Sequence, residues 1–294
     1  MNAQHLTQQI TPALRAWIAA QRASGFSTEA VLRAMREAGW DTDVARAALD
    51  LPPDTAGPEH KPAATLQEAA SGLPPALAVP WPPGAGTVLR LDAGDRQVQA
   101  VLALTNPSLL VFDGLLSHDE CDALMDEAAP RLARSLTVAV KTGGEEENAD
   151  RTSDGMFFRR GESALIARIE DRIARLLNWP LENGEGLQVL RYGPGAEYKP
   201  HYDYFDPAEP GTPSILKRGG QRVATLVMYL NEPERGGATV FPDLQLSVVP
   251  KRGSAVFFNY NRPHPSTRTL HGGEPVEAGL KWIATKWLRE GPFN

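Results

Sequence analysis

Residues 187–203 read LQVLRYGPGAEYKPHYD, and residues 270–287 read LHGGEPVEAGLKWIATKW. In the first stretch His201 and Asp203 stand two residues apart. On a strand, positions i and i+2 face the same side, so an imidazole and a carboxylate can converge on one point. The second stretch supplies His271 and, ten residues later, Lys281. Lys281 opens an alternating run in which Lys281, Ile283, Thr285 and Trp287 share one face; Trp282, Ala284 and Lys286 share the other.

Two histidines and one carboxylate, with the second histidine distant in sequence, make the facial set of a non-haem Fe(II) centre. Such a set holds the metal firmly and leaves positions open. With neutral imidazoles it also keeps a net positive charge that attracts a dicarboxylate. His264, in NRPHPS, is set aside, because it lies between prolines in a loop just before His271.

H-x-D alone is common by chance, so its surroundings decide the reading. RTSDGMFF (151–158), LENGEGLQVLRYGPGAEYKPHYDYFDP (181–207), GGQRVATLVMYLNEPERGGATVFP (219–242), PKRGSAVFF (250–258) and LHGGEPVEAGLKWIATKW (270–287) follow one another in order. Together they resemble the prolyl 4-hydroxylase branch of the 2-oxoglutarate/Fe(II) dioxygenases, over roughly residues 105 to 290.

The resemblance implies Fe(II) on His201, Asp203 and His271, with 2-oxoglutarate and O2 as co-substrates and ascorbate as reductant. It places Lys281 against the distal carboxylate of 2-oxoglutarate, which needs a buried cation. Tyr229 is expected to bond that same carboxylate, Thr285 to assist, and Tyr198 to line the pocket. Arg151, Tyr192 and Trp287 are expected to meet the substrate; Arg151 opens a segment that in the family moves over the substrate groove. Lys286, on the opposite face, is expected at the surface. The implied reaction hydroxylates proline at C4 in a peptide or protein, as 2-oxoglutarate is decarboxylated to succinate. A dioxygenase of a free amino acid or small metabolite, and a non-catalytic 2-oxoglutarate-binding adaptor, stay open as alternatives.

The rest of the sequence sets bounds. A formal charge of −6 and the lack of a broad basic run argue against a nucleic-acid partner. No apolar stretch is long enough to span a membrane, and the N-terminus lacks the pattern of a secretory signal. The single cysteine, Cys121, fits a small buried side chain in a reducing compartment, so a cytoplasmic location is expected.

Three segments are expected. Residues 1–50 read as a small helical domain, with Leu14, Trp17, Ile18, Val31, Leu32 and Met35 at helical spacing and a helix from Ser27 to Gly39. The pattern GFSTEAVLRAM followed by DVARAAL resembles ubiquitin-associated three-helix domains, which implies a protein partner. Residues 51–86, dense in Pro, Ala and Gly, read as an extended linker in which Trp81 can dock on a neighbour. Residues 87–294 read as the dioxygenase domain, α+β but mainly β. Its many short strands split by Gly/Pro turns predict a double-stranded β-helix (jelly roll) with supporting helices. Those helices are expected from Ser117 to about Arg134 and from Ser163 to Leu177, with Glu145–Glu147 in a solvated loop.

Overall fold

The computed structural model describes residues 10–23, 28, 31, 32, 35, 40, 42–51, 73–138, 145–147 and 150–294. The chain divides into two compact units, Met1–Ala63 and Ala64–Asn294. In the first, helix α1 (Pro12–Ala23) begins after Thr11, whose Oγ1 accepts the Leu14 amide at 3.2 Å. Helix α2 spans Thr42–Ala48. Leu14, Ile18, Val31, Met35, Ala45, Ala48 and Leu49 form one buried cluster, whereas Trp17 is 39% exposed. The helix expected from Ser27 to Gly39 lies largely outside the described residues.

The second unit is built on two larger sheets. In chain order their strands are β1 (Arg90–Asp92), β2 (Gln97–Thr105), β3 (Ser108–Asp113), β4 (Ala133–Arg134), β5 (Asp154–Phe158), β6 (Leu187–Tyr192) and β7 (Tyr198–His201). After them come β8 (Arg222–Tyr229), β9 (Thr239–Phe241), β10 (Leu246–Val248), β11 (Ala255–Asn259), β12 (His271–Gly273) and β13 (Lys281–Arg289). The nine-stranded sheet runs β1-β2-β3-β11-β8-β13-β6-β5-β4, and the four-stranded sheet β10-β9-β12-β7. Neighbouring strands pair antiparallel.

Residues opposite one another in an antiparallel pair point to the same side. One face of the large sheet (Leu190, Val227, Val256, Ile283) packs against Phe241 and Val248 of the small one, which makes the core between sheets. The other face (Val189, Leu226, Ala284, Leu288) is covered by α3 (His118–Ala128) and α4 (Ala164–Leu177). Ser163 caps α4, and its Leu165, Ile166, Ile169, Ile173, Leu176 and Leu177 are buried on one stripe. Ser117 and Glu120 form a capping box on α3. Glu120 also receives Arg172 of α4 at 2.7 and 2.8 Å, which ties the two helices together.

Some boundaries differ from expectation. Helix α3 ends at Ala128 rather than near Arg134, because Pro130 follows and the chain tightens to a 3-10 turn over Ala129–Arg131. Glu145–Glu147 is not a loop but a strand paired with Leu136–Val138. Residues 73–86, read as linker, lie along the barrel: Leu77, Val79, Trp81 and Ala85 pack on its core, and Trp81 meets Phe257 at 6.3 Å between ring centroids. Every residue of β13 is buried, Lys286 included. The surface expectation for Lys286 fails because α4 covers that face, and its Nζ reaches Glu170 Oε1 at 2.5 Å and the Glu185 carbonyl. Among the described residues no helix is long and apolar enough to cross a membrane.

Candidate active site

The pairing of β12 with β7 sets His271 directly opposite His201. Close approach is possible because Gly272 has no side chain: a Cβ there would lie 2.9 Å from the Tyr198 carbonyl oxygen. Strand β7 ends at His201, shorter than the sequence predicts, and Asp203 sits in the bend that follows. It still reaches the same point. Asp203 Oδ1 is 3.5 Å from His201 Nε2, and Oδ2 is 3.4 Å from His271 Nε2. One ligand atom from each of the three residues lies within 4.8 Å of the others.

Each ring is held from behind. His201 Nδ1 is 2.8 Å from the Lys199 carbonyl and His271 Nδ1 is 3.0 Å from the Thr269 carbonyl. A proton on Nδ1 satisfies each carbonyl and leaves Nε2 with a free lone pair facing Asp203, the arrangement a metal-ligating imidazole needs. Tyr198 stacks on His201 at 3.6 Å, and Phe258 packs on His271 at 4.5 Å. Thr225 Oγ1 donates to Asp203 Oδ2 at 2.7 Å. Burial alone would raise the Asp203 carboxyl, but the His271 and His201 rings outweigh it and hold it well below the usual range. Burial, with His271 adding, keeps the His201 imidazole below its ordinary value, so it favours the neutral form that can ligate. The His201 side chain is 21% exposed, against 5% for Asp203 and 7% for His271, so the set opens on the His201 side.

The pocket in front of these three residues is walled by the inner face of the large sheet. Trp287, Thr285, Ile283 and Lys281 of β13 line it, with Thr225 and Val227 of β8 and Leu190 and Tyr192 of β6. Register explains the set: Thr225 opposes Trp287, Val227 opposes Thr285, and Lys281 opposes Tyr192. Lys281 is 2% exposed, and its Nζ makes no hydrogen bond or ion pair among the described residues. The Tyr192 ring lies 5.5 Å from it. Burial pulls this amine down to about 8, against weak opposition from Glu274. A buried cation without a partner at one end of a pocket, and a His–Asp–His set on its wall, fit a metal and a dicarboxylate together.

Arg151, expected to meet the substrate, is 4% exposed. Its Nη2 bonds Gln188 Oε1 at 2.8 Å, its guanidinium lies over Tyr198 at 5.0 Å, and its backbone bridges to Tyr198. Thr152 exchanges bonds with Glu197 at 3.1 and 2.9 Å, which zips this segment to the strand entering the site. Arg151 Nε and Trp287 Nε1 are buried without hydrogen-bond partners among the described residues. Tyr192, Tyr198, Thr285 and Trp287 all line the pocket, as does Arg151.

Tyr229 does not. It shares the β8 face with Thr225, but its hydroxyl donates to Thr239 Oγ1 at 2.8 Å, and Thr239 stands in the pocket wall instead. In this arrangement Tyr229 supports Thr239. His264 lies away from the set and caps a 3-10 turn, its Nδ1 accepting the Ser266 amide at 3.1 Å. Sequence reasoning missed Thr239 and the Thr225–Asp203 bond, although Thr225 stands on the same face of VATLVMYL as Tyr229.

Residues 187–289 match the 2OG-Fe(II) oxygenase superfamily. The chain is 40% identical over 223 residues to prolyl 4-hydroxylase 5 of Arabidopsis thaliana, covering 68% of this chain and 74% of that protein. It is 44% identical over 202 residues to prolyl 4-hydroxylase 1 of the same organism, covering 63% and 70%. A crystal structure of a viral collagen prolyl hydroxylase from Paramecium Bursaria Chlorella virus-1, in complex with 2OG, aligns at 34% identity with a TM-score of 0.48, covering 62% of this chain and 95% of that one.

Proposed function

The chain belongs to the prolyl 4-hydroxylase family of 2OG-Fe(II) oxygenases, and from that membership we propose that it hydroxylates C4 of proline within a peptide or protein. The observation that carries this reading is the convergence of His201, Asp203 and His271 on a pocket that is also lined by Lys281, buried and unpaired among the described residues. When bound, Fe(II) with 2-oxoglutarate and O2 supplies the oxidation: 2-oxoglutarate loses CO2 to become succinate, which takes one oxygen atom while the substrate C–H takes the other.

The chain supplies binding, orientation and dryness. Two imidazoles pinned through Nδ1 and one carboxylate pinned by Thr225 present fixed donors to the metal. Lys281 would pair with the distal carboxylate of 2-oxoglutarate, and Thr285, on the same face of β13, lines the same pocket. Tyr192 and Trp287 offer flat apolar surfaces on which a pyrrolidine ring can rest, because proline brings no N–H to satisfy. The unpartnered Nε of Arg151 and Nε1 of Trp287 are donors suited to a peptide carbonyl. Ascorbate serves as the external reductant, and the N-terminal unit recruits a protein partner. A single buried cysteine is in keeping with a reducing, cytoplasmic setting.

The test is incubation with Fe(II), 2-oxoglutarate, ascorbate and a panel of proline-containing peptides beside free proline. Peptide hydroxylation assigned to C4 by NMR is expected. Turnover of free proline that no peptide matches would replace this reading with the small-molecule one.

A further inference from the structure

Beside the metal pocket lies a larger cleft of roughly 730 Å³. Five arginines line it, Arg159, Arg160, Arg218, Arg222 and Arg289, against a single acidic side chain, Glu185. The whole chain carries a net charge of −6, so this concentration of positive charge is local and runs against the composition.

The cleft and the metal pocket share a wall. Arg289 follows Trp287 by two residues on the same face of β13 and pairs across to Arg222. The Arg222 guanidinium lies 4.1 Å from the Trp287 ring centroid. Two residues along a strand span about 7 Å, so the cleft begins about two peptide residues beyond the ring that faces the metal.

Its floor holds more positive charge than it neutralises. Arg222 bonds Glu185 at 2.6 and 2.9 Å, and Arg289 bonds the same carboxylate at 2.7 Å. The two arginines are 9% and 3% exposed. Among the described residues Glu185 is the one carboxylate in contact with these two guanidiniums, Asp203 acting on Arg222 only from further off, so the pair favours a further anion. At the mouth, Arg159 is exposed, and its guanidinium makes no hydrogen bond or ion pair among the described residues. Arg218 gives Nε to the Asn294 carbonyl oxygen and stacks on Phe293 at 3.8 Å. Arg160 is different. It is occupied by the carbonyls of Glu182, Gly184 and Phe293 and by Asn294 Oδ1, and it shapes the wall.

We infer that this cleft receives an Asp or Glu side chain of the polypeptide substrate, a few residues from the proline being hydroxylated. The inference rests on the peptide-hydroxylase reading above. The volume exceeds what a lone carboxylate would fill, and the two cavities lie on either side of the Trp287 ring, within reach of one peptide chain. Guanidiniums suit the ligand because their planar donors match a carboxylate in pairs.

The test compares the full chain on matched proline peptides that carry Asp or Glu two to four residues from the proline, on either side, or, in their place, Asn or Gln. The acidic peptides are expected to show kcat/KM higher by about tenfold or more, the size of one charge-assisted hydrogen-bonded contact. The difference should lie in KM and shrink as salt rises, because the mouth of the cleft is exposed. The ratio between peptides is then read in Arg159→Glu/Arg218→Glu, where any general loss of activity cancels. That variant is expected to abolish or reverse the preference, taking peptides with Lys at those same positions over acidic ones. Hydroxylation of acidic and neutral peptides at equal kcat/KM would overturn the inference and leave the prolyl hydroxylase reading standing. An acidic preference undiminished in the double variant would overturn it too. If no peptide of either kind is hydroxylated while 2-oxoglutarate is consumed, the underlying reading fails and this one falls with it.

Discussion

Thr225 donates its hydroxyl to Asp203 at 2.7 Å, so the central strand of the large sheet fixes the one carboxylate of the metal set. The same Oγ1 lies 3.0 Å from the Tyr260 hydroxyl, which makes a short chain of polar groups behind the site. Thr225→Val keeps the shape and removes the bond. The variant should fold as the parent does and bind Fe(II) or Co(II) about 10- to 100-fold more weakly, as expected when a partner that orients a metal ligand is lost. Metal titration followed by absorbance or calorimetry reads this directly. Unchanged affinity would mean Asp203 is held by its own loop alone.

Lys281 predicts a pH dependence. Burial lowers its amine from 10.5 to about 8. Between those values the folded protein binds fewer protons than the unfolded chain, so stability contributed here rises with pH across that window and is lowest below about 8. Pairing with a carboxylate reverses the shift. Binding of 2-oxoglutarate should therefore take up a proton above about pH 8, and its affinity should fall by up to about tenfold per pH unit there. Calorimetry in buffers of different ionisation enthalpy measures the uptake. Lys281→Met should bind weakly without that dependence; an affinity flat to about pH 9.5 would contradict the assignment.

Lys286 separates from Lys281 in kind. Its partner is Glu170, and both are buried. Lys286→Ala should cost about 3–5 kcal/mol of stability, since it leaves a carboxylate buried and unpaired. Affinity for 2-oxoglutarate should hardly change, because Lys286 lies on the α4 side of β13. Denaturant unfolding and ligand titration on the same variant distinguish the two lysines.

Glu120 predicts acid sensitivity. Burial would raise its carboxyl, but the bonds from Arg172 and the Ser117 amide lower it from 4.5 to about 2. Stability from this group is complete above about 4.5 and lost as pH falls toward about 2, on the order of 3 kcal/mol in total. Unfolding free energies measured down that range should show the loss in the parent and a flatter slope in Glu120→Gln.

The metal set was legible because its information is local or nearly so: His201 and Asp203 two residues apart, and Lys281 on a clean alternation. What the sequence concealed depends on packing between elements distant in the chain. Strict alternation sends Lys286 outward, and only α4, arriving from more than a hundred residues earlier, makes that face interior. Tyr229 shares a face with Thr225, yet its hydroxyl is given to Thr239 of the opposing sheet, a partner no local pattern names. The Arg222–Glu185–Arg289 group needs the register of β8 on β13, including an irregularity between Arg222 and Ala224 that no local pattern encodes. Residues 73–86 look like linker in composition, but proline-rich chain packs well where its missing donors need no partner, and Pro80 offers its carbonyl to Asn259 at 2.9 Å.

The most direct test of the central claim is a reaction run under heavy-isotope O2 with Fe(II), 2-oxoglutarate and a proline-containing peptide, with every product weighed by mass spectrometry. The account predicts one labelled oxygen atom in succinate and one on proline C4, in equal amounts, with both lost in Asp203→Ala and His271→Ala and both kept in His264→Ala. Succinate formed with label while every proline in every peptide stays unmodified would contradict it.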